Sequence, residues 1–296
     1  MNRTVTLQLI RLALKEDAAS RDVTSRAVLP PTLRIRARII AKSPGVLAGV
    51  KLAALVFTTL DRSLRCRLHR HSGARLSRGS AILTVEGRAR SIFAAERTAL
   101  NFVGHLSGIA TLTQEFVRRT RGTRAHILDT RKTLPGLRTL EKYAVRAGGG
   151  ISHRGDLSEA ILIKTNHLRA LKRGKFGARG SGLGAEIQTA ITKAKRLRPK
   201  KFVEIEVAHF RELRATLQAK PDAILLDNWS LKDIRAAVLF RNSALRTPHS
   251  ALPLLEVSGG VTLKNVRAIA RTGIDRISIG RLTHSAPTLD VSLKVL

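Results

Sequence analysis

The sequence predicts an α/β protein with an irregular β/α barrel domain and a smaller α+β sandwich domain. Beyond residue 125, short apolar runs alternate with stretches of helical periodicity, which is typical of repeated βα units and a parallel sheet. Before that point, strands with alternating apolar and basic residues are separated by helical segments, which indicates a small sheet covered by helices. With 296 residues, the chain is long enough for two domains with separate cores.

The smaller domain is predicted to span residues 1–108, with the C-terminal tail 281–296 packing on it. Its first 32 or so residues are expected to form a helix followed by a turn region, and apolar spacing predicts another helix over 46–60. Alternating patterns predict strands at 33–42, 64–70 and 81–90.

The barrel domain is predicted to span residues 109–280. A long apolar-periodic helix over 91–120, expected to bend near Gly104 to Gly108, leads into it. Its six candidate strands each end in a polar residue or glycine, and they are AHILD, AILIK, FVEIEV, AILLD, LLEVS and RISIG. In a β/α barrel the active site lies at the carboxyl ends of the strands. Because six strands fall short of the usual eight, an incomplete barrel is expected, with a doubly wound open sheet as the competing architecture.

The charge balance is strongly basic. The chain has 54 Lys and Arg residues against 21 Asp and Glu residues, which gives a formal net charge of +33. Such an excess predicts non-specific, salt-dependent binding to nucleic acid and other polyanions. The bases are spread along the whole chain and aromatic residues make up only 3%, so a dedicated base-stacking site is not indicated.

Hydropathy and cysteine content indicate the compartment. No apolar run approaches the ~20 residues of a membrane-spanning helix, so no membrane partner is expected. The single cysteine, Cys66, cannot form an internal disulfide, and its place in the alternating LRCRLH pattern predicts a buried or half-buried strand residue. This cysteine usage fits a reducing cytoplasm.

Cationic residues gather between Asp129 and His167, around the triple glycine Gly148–Gly150. Most Lys and Arg side chains are solvated surface groups. Here the chain turns beside the cations, and apolar, strand-like runs flank them on both sides. This arrangement favours an anion site. The cluster comprises Arg131, Lys132, Arg138, Lys142, Arg146, His153, Arg154, Lys164 and His167.

Acidic residues end two successive strands, at Glu206 and Asp227. A barrel would bring both carboxylates to one rim, and Mg²⁺ prefers a few carboxylates together with water and substrate phosphates. Salt bridges to the abundant bases are the alternative interpretation. By strand alternation, Glu204 points to the barrel interior as a buried helper.

Glycines follow the last two strands at Ser258-Gly259-Gly260 and at Gly280. Glycine lets backbone N–H groups approach a phosphate closely, and the loops after the final strands are the usual phosphate site of β/α barrels. We therefore expect a phosphate group to bind there.

These motifs together resemble the quinolinate phosphoribosyltransferase family, also called nicotinate-nucleotide pyrophosphorylase (carboxylating). The resemblance rests on DTRKT, PGLR, EKYAVR, a triple glycine followed by His-Arg, and LIK-x-NH, and it extends from EDAASRDVTS to ISIGRLTHSAPTLDVSL. It implies an open barrel, the substrates quinolinate and phosphoribosyl pyrophosphate, and nicotinate mononucleotide as the product. It also implies Mg²⁺ as cofactor and a homodimer with shared active sites.

Residue roles follow from the matching positions. The resemblance implies catalytic roles for Lys132, Lys164, Glu206 and Asp227, with Glu206 and Asp227 serving the metal. Quinolinate would bind to Arg131, His153, Arg154 and Lys164, with Arg97 supplied across a dimer interface. The 5-phosphate of the donor would bind at Ser258, Gly259, Gly260 and Gly280.

Three positions depart from the family pattern. Ser152 stands where asparagine is expected before His153, Thr165 stands where aspartate is expected after Lys164, and Arg21 replaces a usual glycine. The change at Thr165 removes a carboxylate beside the expected catalytic rim. The motif acids Asp129, Glu141, Glu206, Asp227 and Glu256 are nevertheless retained.

Two other functions remain as alternatives. One is a related barrel enzyme with another acceptor, such as the molybdenum-transport-associated homologues, and the other is a polyanion-binding protein on an inactive scaffold. The Gly- and Lys/Arg-rich stretch 169–184 is predicted to be either a lid over phosphates or a variable surface loop. Segment 242–253 is predicted to be an ordinary connection.

Overall fold

The computed structural model describes residues 3–173, 183–244 and 252–296, and the chain forms two compact units. The first unit comprises residues 1–115, 132–150 and 281–296, and the second comprises residues 116–131 and 151–280. Segment 132–150 thus lies with the first unit, although the predicted boundary at 108 placed it in the barrel.

The first unit is built on an antiparallel four-stranded sheet in the order β12-β1-β5-β3. Its strands are β1 (Arg34–Ala41), β3 (Arg65–Leu68), β5 (Ala81–Arg88) and β12 (Val291–Val295). The pairing of β12 with β1 places the end of the chain at the sheet edge. A two-stranded ribbon is formed by β2 (Gly45–Val46) and β4 (Arg75–Leu76). Cys66 lies half-buried on β3, and burial raises the pKa of its thiol to about 11.

Helices accompany this sheet in the first unit, and the longest of them extends into the second unit. Those of the first unit are α1 (Arg3–Glu16), a 3₁₀ turn (Ala19–Arg21), α2 (Val23–Val28), α3 (Val50–Leu60), α5 (Arg138–Ala147) and α11 (Arg281–His284), and α4 (Ala89–Arg119) runs into the second unit.

Two glycines of α4 let the tail approach the helix. A Cβ atom at Gly108 would lie 2.0 Å from the carbonyl oxygen of Pro287, and one at Gly104 would lie 2.8 Å from Thr288 Cγ2. Helix α4 continues without interruption through both positions.

The second unit is a six-stranded, fully parallel sheet in the order β6-β11-β10-β9-β8-β7. Its strands are β6 (His126–Leu128), β7 (Ile161–Ile163), β8 (Val203–Val207), β9 (Ala223–Asp227), β10 (Leu254–Ser258) and β11 (Arg276–Ser278). From β7 to β11 each strand lies beside the next one in the chain, and β11 lies beside β6. The strands therefore follow one another around a barrel that is open only between β6 and β7. The open barrel prediction is therefore confirmed, and the doubly wound alternative is wrong.

The segment after α5 partly fills the open side of the barrel. Ile151 forms a parallel bridge with Leu128, and its amide donates to the Ile127 carbonyl at 2.8 Å. Residues 152–154 consequently continue past the carboxyl end of β6, beside Asp129, whose carboxylate accepts from the His153 amide at 2.9 Å.

Helices connect the strands of the second unit. They are α6 (Thr165–Arg173), α7 (Leu183–Leu197), α8 (Phe210–Ala219), α9 (Leu231–Ala244) and α10 (Val266–Ala270). Of the predicted lid or loop at 169–184, the first five residues belong to α6 and most of the rest lie outside the described residues. Most of the predicted connection 242–253 also lies outside them. None of the helices in the described ranges combines the length and apolarity needed to cross a membrane.

Candidate active site

The carboxyl ends of β8 and β9 carry the two acids singled out by sequence. Glu206 and Asp227 are half-buried and lie on neighbouring parallel strands. Thr165, at the start of α6, donates to Glu206 Oε1 from its hydroxyl at 2.9 Å and from its amide at 3.3 Å. These two donors orient Glu206, and a carboxylate oriented through one oxygen can still bind a cation through the other.

The turn after β9 joins Asp227 to the glycines after β10. Asn228 adopts a left-handed conformation with φ of 58°, and its amide donates to the Ser258 carbonyl at 2.9 Å. Its side-chain amide donates to Asp227 Oδ2 at 3.1 Å. A Cβ atom at Gly259 would lie 2.1 Å from Asn228 Oδ1, so only glycine fits this position without displacing Asn228.

The Ser258-Gly259-Gly260 turn exposes backbone at the same rim. Gly259 and Gly260 both have positive φ, at 84° and 62°, and both are exposed. Asn265 holds the turn by donating to the Gly260 carbonyl at 2.9 Å and accepting from the Thr262 amide at 2.8 Å. Half-buried Gly280 follows β11, the next strand of the sheet. Backbone shaped in this way can bind an anionic oxygen.

Lys164 follows β7 and is exposed. Its amide donates to His167 Nδ1 at 2.8 Å, which fixes the turn from β7 into α6. The ammonium group therefore stands at the carboxyl end of the strand beside the one that carries Glu206.

Arg154 lies on the segment that borders the open side of the barrel. Its guanidinium donates to the Ala160 carbonyl at 3.1 Å, and the amide of the preceding His153 donates to buried Asp129 at 2.9 Å. Burial and the nearby cation of Arg131 lower the pKa of Arg154, and Glu204 opposes this effect. Because the guanidinium groups of Arg131 and Arg154 repel each other, an anion bound beside them would be stabilised.

The imidazole of His153 reaches two carboxyl groups inside the barrel. Its Nε2 lies 2.9 Å from Glu204 Oε2 and 3.5 Å from Glu256 Oε1, and both glutamates are only 1% exposed. Burial, and next the charge of Glu204, raise the pKa of Glu256 to about 8. The carboxyl group of Glu256 therefore keeps its proton to a higher pH than an exposed glutamate does.

A cavity of about 820 Å³ opens beside these residues. Its lining includes His153, Arg154, Phe202 and Arg276, and the guanidinium of Arg276 lies 4.9 Å from the centre of the Phe202 ring. The lining also includes His126, Leu254 and Asp275, which lie at or beside the amino ends of their strands. This cavity therefore extends along the open side of the barrel towards the end opposite the rim of Glu206 and Asp227.

Arg97 and Lys132 belong to the first unit. Arg97 is exposed on α4, and Lys132 is exposed in the segment before α5. The Lys132 carbonyl accepts from the Thr283 hydroxyl at 2.6 Å. Glu141, which is fully buried, accepts from His105 at 2.9 Å and from the Leu134 amide at 3.3 Å, so the Lys132 segment is anchored at both ends.

Both halves of the chain match one family. Residues 109–294 match the C-terminal domain of quinolinate phosphoribosyl transferase, and residues 22–107 match its N-terminal domain. The chain belongs to the quinolinate phosphoribosyltransferase family.

Individual members of the quinolinate phosphoribosyltransferase family are similar over nearly their full length. The chain is 41% identical to the nicotinate-nucleotide pyrophosphorylase (carboxylating) of Mycobacterium leprae, with 96% of this chain and 95% of that relative covered. It is 36% identical to the probable enzyme of the same name from Bacillus subtilis, with 100% of this chain and 95% of that relative covered. The solved nicotinate-nucleotide pyrophosphorylase of Francisella tularensis superposes with a TM-score of 0.88 at 36% identity, with 100% of this chain and 98% of that chain covered.

Within this quinolinate phosphoribosyltransferase fold, the second unit contains most of the predicted site residues, in two groups. The carboxyl-end group comprises Lys164, Glu206, Asp227, Ser258, Gly259, Gly260 and Gly280, and the open-side group comprises Arg131, His153 and Arg154. Sequence reasoning missed the roles of Asn228 and Glu256. The sequence does indicate where Glu256 points, because it lies two residues before Ser258 on β10 and alternate residues of a strand share one face.

Proposed function

We propose that this chain transfers phosphoribose from phosphoribosyl pyrophosphate to the nitrogen of quinolinate, with loss of CO₂. The products are nicotinate mononucleotide, diphosphate and CO₂, as a step of NAD biosynthesis. The observation that carries the proposal is the rim at which Glu206, Asp227 and the Ser258-Gly259-Gly260 turn end neighbouring parallel strands in a chain of this family.

Quinolinate is held by cations in this proposal. Its two adjacent carboxylates require several donors, and an arginine fork binds a carboxylate through two parallel hydrogen bonds. Arg131, Arg154 and Lys164 bind them, together with the segment that carries His153. Burial lowers the pKa of Arg154, and the charge of Arg131 lowers it further. A bound dianion would relieve this repulsion, which supports the assignment.

Mg²⁺ is the proposed cofactor, held by Glu206 and Asp227. Two carboxylate groups on neighbouring strands supply the hard oxygen ligands that this ion prefers, and the remaining positions suit water and substrate oxygens. When bound, the ion neutralises charge on the diphosphate. The backbone at Ser258–Gly260 and Gly280 binds the 5-phosphate, and Lys132 reaches the donor.

The chemistry requires orientation and electrostatic stabilisation. The pyridine nitrogen forms a bond to the anomeric carbon while the bond from that carbon to the diphosphate oxygen breaks, through an oxocarbenium-like state. When CO₂ departs from the neighbouring carbon, the electron pair stays on that carbon, where the adjacent positively charged nitrogen stabilises it. The carbon then takes up a proton from solvent. Lys132 and Lys164 stabilise the departing and bound negative charges, and such preorganised stabilisation is commonly the largest catalytic effect.

A homodimer completes the proposed site. Arg97 is exposed on α4, where a second copy of the chain can receive it. Mixing an Arg97→Ala variant with a Glu206→Ala variant should restore part of the activity that each lacks alone. No recovery in a mixture that exchanges subunits would exclude a shared site.

The proposed location is the cytoplasm, in keeping with one thiol whose pKa burial raises to about 11. The net charge of +33 also supports weak, non-specific nucleic-acid binding beside catalysis. Its mark would be affinity that falls steeply with salt and is indifferent to sequence.

A related enzyme with another acceptor is the competing function. Arg154→Ala should raise the KM for quinolinate more than the KM for the donor, since a neutral or monoanionic acceptor would not need the whole cationic group. Arg196→Ala, at an exposed position of α7, is the matched control. Equal effects on both substrates would favour the competing function.

The direct test combines purified protein, quinolinate, phosphoribosyl pyrophosphate and Mg²⁺, and follows nicotinate mononucleotide by chromatography. Glu206→Ala should abolish the product, and Glu16→Ala, at an exposed position of α1, should not. Product formed equally with nicotinate, or retained in Glu206→Ala, would overturn the proposal.

A further inference from the structure

The ring of His153 is held on both edges by the protein. Nε2 faces Glu204 at 2.9 Å and Glu256 at 3.5 Å, while Nδ1 accepts from the Arg154 amide at 2.7 Å. Both ring nitrogens are therefore engaged within the chain.

This geometry fixes the tautomer of the imidazole. A nitrogen that accepts from an N–H group has its lone pair directed at that group, so the proton of the neutral ring lies on Nε2. The Nε2–H group then donates to Glu204. Protonation of Nδ1 would place two hydrogens against each other between the ring and the Arg154 amide.

The same argument disfavours a metal ion in this cluster. Ligand atoms of His153, Glu204 and Glu256 lie within 4.8 Å of one another, a spacing that could hold a cation. Binding through Nε2 would require its lone pair, and the proton would have to move to Nδ1, against the Arg154 amide. The cluster is better suited to holding the ring than to holding a metal.

The ring in turn holds Arg154. The amide of His153 is bound to Asp129 at 2.9 Å, the amide of Arg154 is bound to the ring, and the Arg154 guanidinium is bound to the Ala160 carbonyl at 3.1 Å. The chain of contacts runs from Glu204, at the barrel interior, through His153 to the cation that faces the cavity.

We propose that Glu204 is a positioning residue for quinolinate, acting through the Nε2–H tautomer of His153 to set the position of Arg154. This inference rests on the proposed function, and it adds an orienting role to the substrate-binding position that the resemblance implies for His153. Glu256 is the second carboxyl group at this ring, with its Oε1 atom 3.5 Å from Nε2, and it is as deeply buried as Glu204.

The kinetic test compares substitutions at Glu204 that remove or keep an acceptor oxygen. Glu204→Leu should raise the KM for quinolinate by roughly 10- to 100-fold, the usual effect of losing a hydrogen bond to a charged group, while the KM for the donor changes little. Glu204→Gln keeps an acceptor for Nε2–H and should recover much of the loss. Glu256→Gln should have a smaller effect than Glu204→Leu, and Glu186→Leu on α7 serves as the control.

A spectroscopic test does not depend on turnover. Long-range ¹⁵N–¹H correlation spectra of the wild-type protein should show His153 protonated on Nε2 and unprotonated on Nδ1 near neutral pH, with assignment from a His153→Gln variant. A ring protonated on Nδ1 would overturn the proposal even if the Leu variant fails to fold. So would equal effects of Glu204→Leu on both substrates, or no effect on quinolinate.

Failure of the proposed function gives a different pattern. In that case the wild-type protein forms no nicotinate mononucleotide, while the spectra still show the Nε2–H tautomer. An active wild type with the wrong tautomer would instead overturn only the role of Glu204.

Discussion

The hydroxyl group of Thr165 donates a hydrogen bond to the carboxylate of Glu206, with 2.9 Å between Oγ1 and Oε1. The family pattern has aspartate at this position, so a neutral donor replaces a negative charge beside the rim. The exchange removes repulsion between neighbouring carboxylates and orients Glu206 by a hydrogen bond instead. This contact explains how the rim can tolerate the departure.

Replacing Thr165 by valine should weaken the use of Mg²⁺. The substitution keeps the shape and removes a hydrogen bond to a charged group, a contribution of about 1.5–3 kcal/mol. We expect the apparent Mg²⁺ affinity to fall roughly tenfold in steady-state titrations. Thr165→Ser keeps the hydroxyl and should remain near wild type, and identical titrations for the two variants would contradict this role.

Adding a methyl group at Gly259 should impair donor binding more than adding one at Gly260. Both positions have positive φ, so alanine costs about 1–2 kcal/mol of backbone strain at each. At Gly259 the new Cβ also meets Asn228 Oδ1 at 2.1 Å, whereas nothing lies within 4 Å at Gly260. The KM for phosphoribosyl pyrophosphate should therefore rise further in Gly259→Ala, and equal KM values would argue against the Asn228 contact.

Glu256 should make the free energy of unfolding fall as pH rises. Its pKa is about 8 in the folded protein against 4.5 as the ordinary value, with burial as the main cause. Between those values the folded state binds the extra proton, so stability decreases with pH across this window and levels off above it. Urea unfolding of Glu256→Gln, which lacks this titration, should show a smaller decrease, and parallel pH profiles would contradict the protonated state.

The buried pair of Arg241 and Asp275 should matter more to stability than an exposed pair. Arg241 is 2% exposed and Asp275 is 4% exposed, and Asp275 also accepts from the Leu255 amide at 2.8 Å. Arg241→Met removes the buried one of the two arginine partners of Asp275, the other being the more exposed Arg124, and should cost about 3 kcal/mol of unfolding free energy.

An exposed pair provides the control for that measurement. Glu86→Gln breaks the surface pair of Arg36 and Glu86 and should cost less than about 1 kcal/mol. Similar losses of unfolding free energy in the two variants would show that burial does not determine how much an ion pair contributes to stability.

The sequence predicted the strands of the barrel because each apolar run is short and ends in a polar residue or glycine, and all six are present. It did not predict β12, a short strand formed by pairing with β1. Nor did it predict that residues 132–150 lie with the first unit, since that depends on tertiary contacts.

The rim acids could be identified in advance because Glu206 and Asp227 end two successive apolar runs, and the carboxyl ends of parallel strands meet at one rim. The His153–Glu204 contact could not, because it joins residues 51 positions apart through an irregular segment. The left-handed turn at Asn228 likewise depends on the close approach of Gly259.

The most direct measurement of the central claim uses quinolinate labelled with ¹⁴C in one carboxylate at a time. Incubation with the protein, phosphoribosyl pyrophosphate and Mg²⁺ should release the C2 carboxylate label as CO₂ and retain the C3 carboxylate label in nicotinate mononucleotide. Diphosphate should form in equal amount. Release of neither label, or diphosphate formation without labelled CO₂, would contradict a decarboxylating phosphoribosyl transfer by this chain.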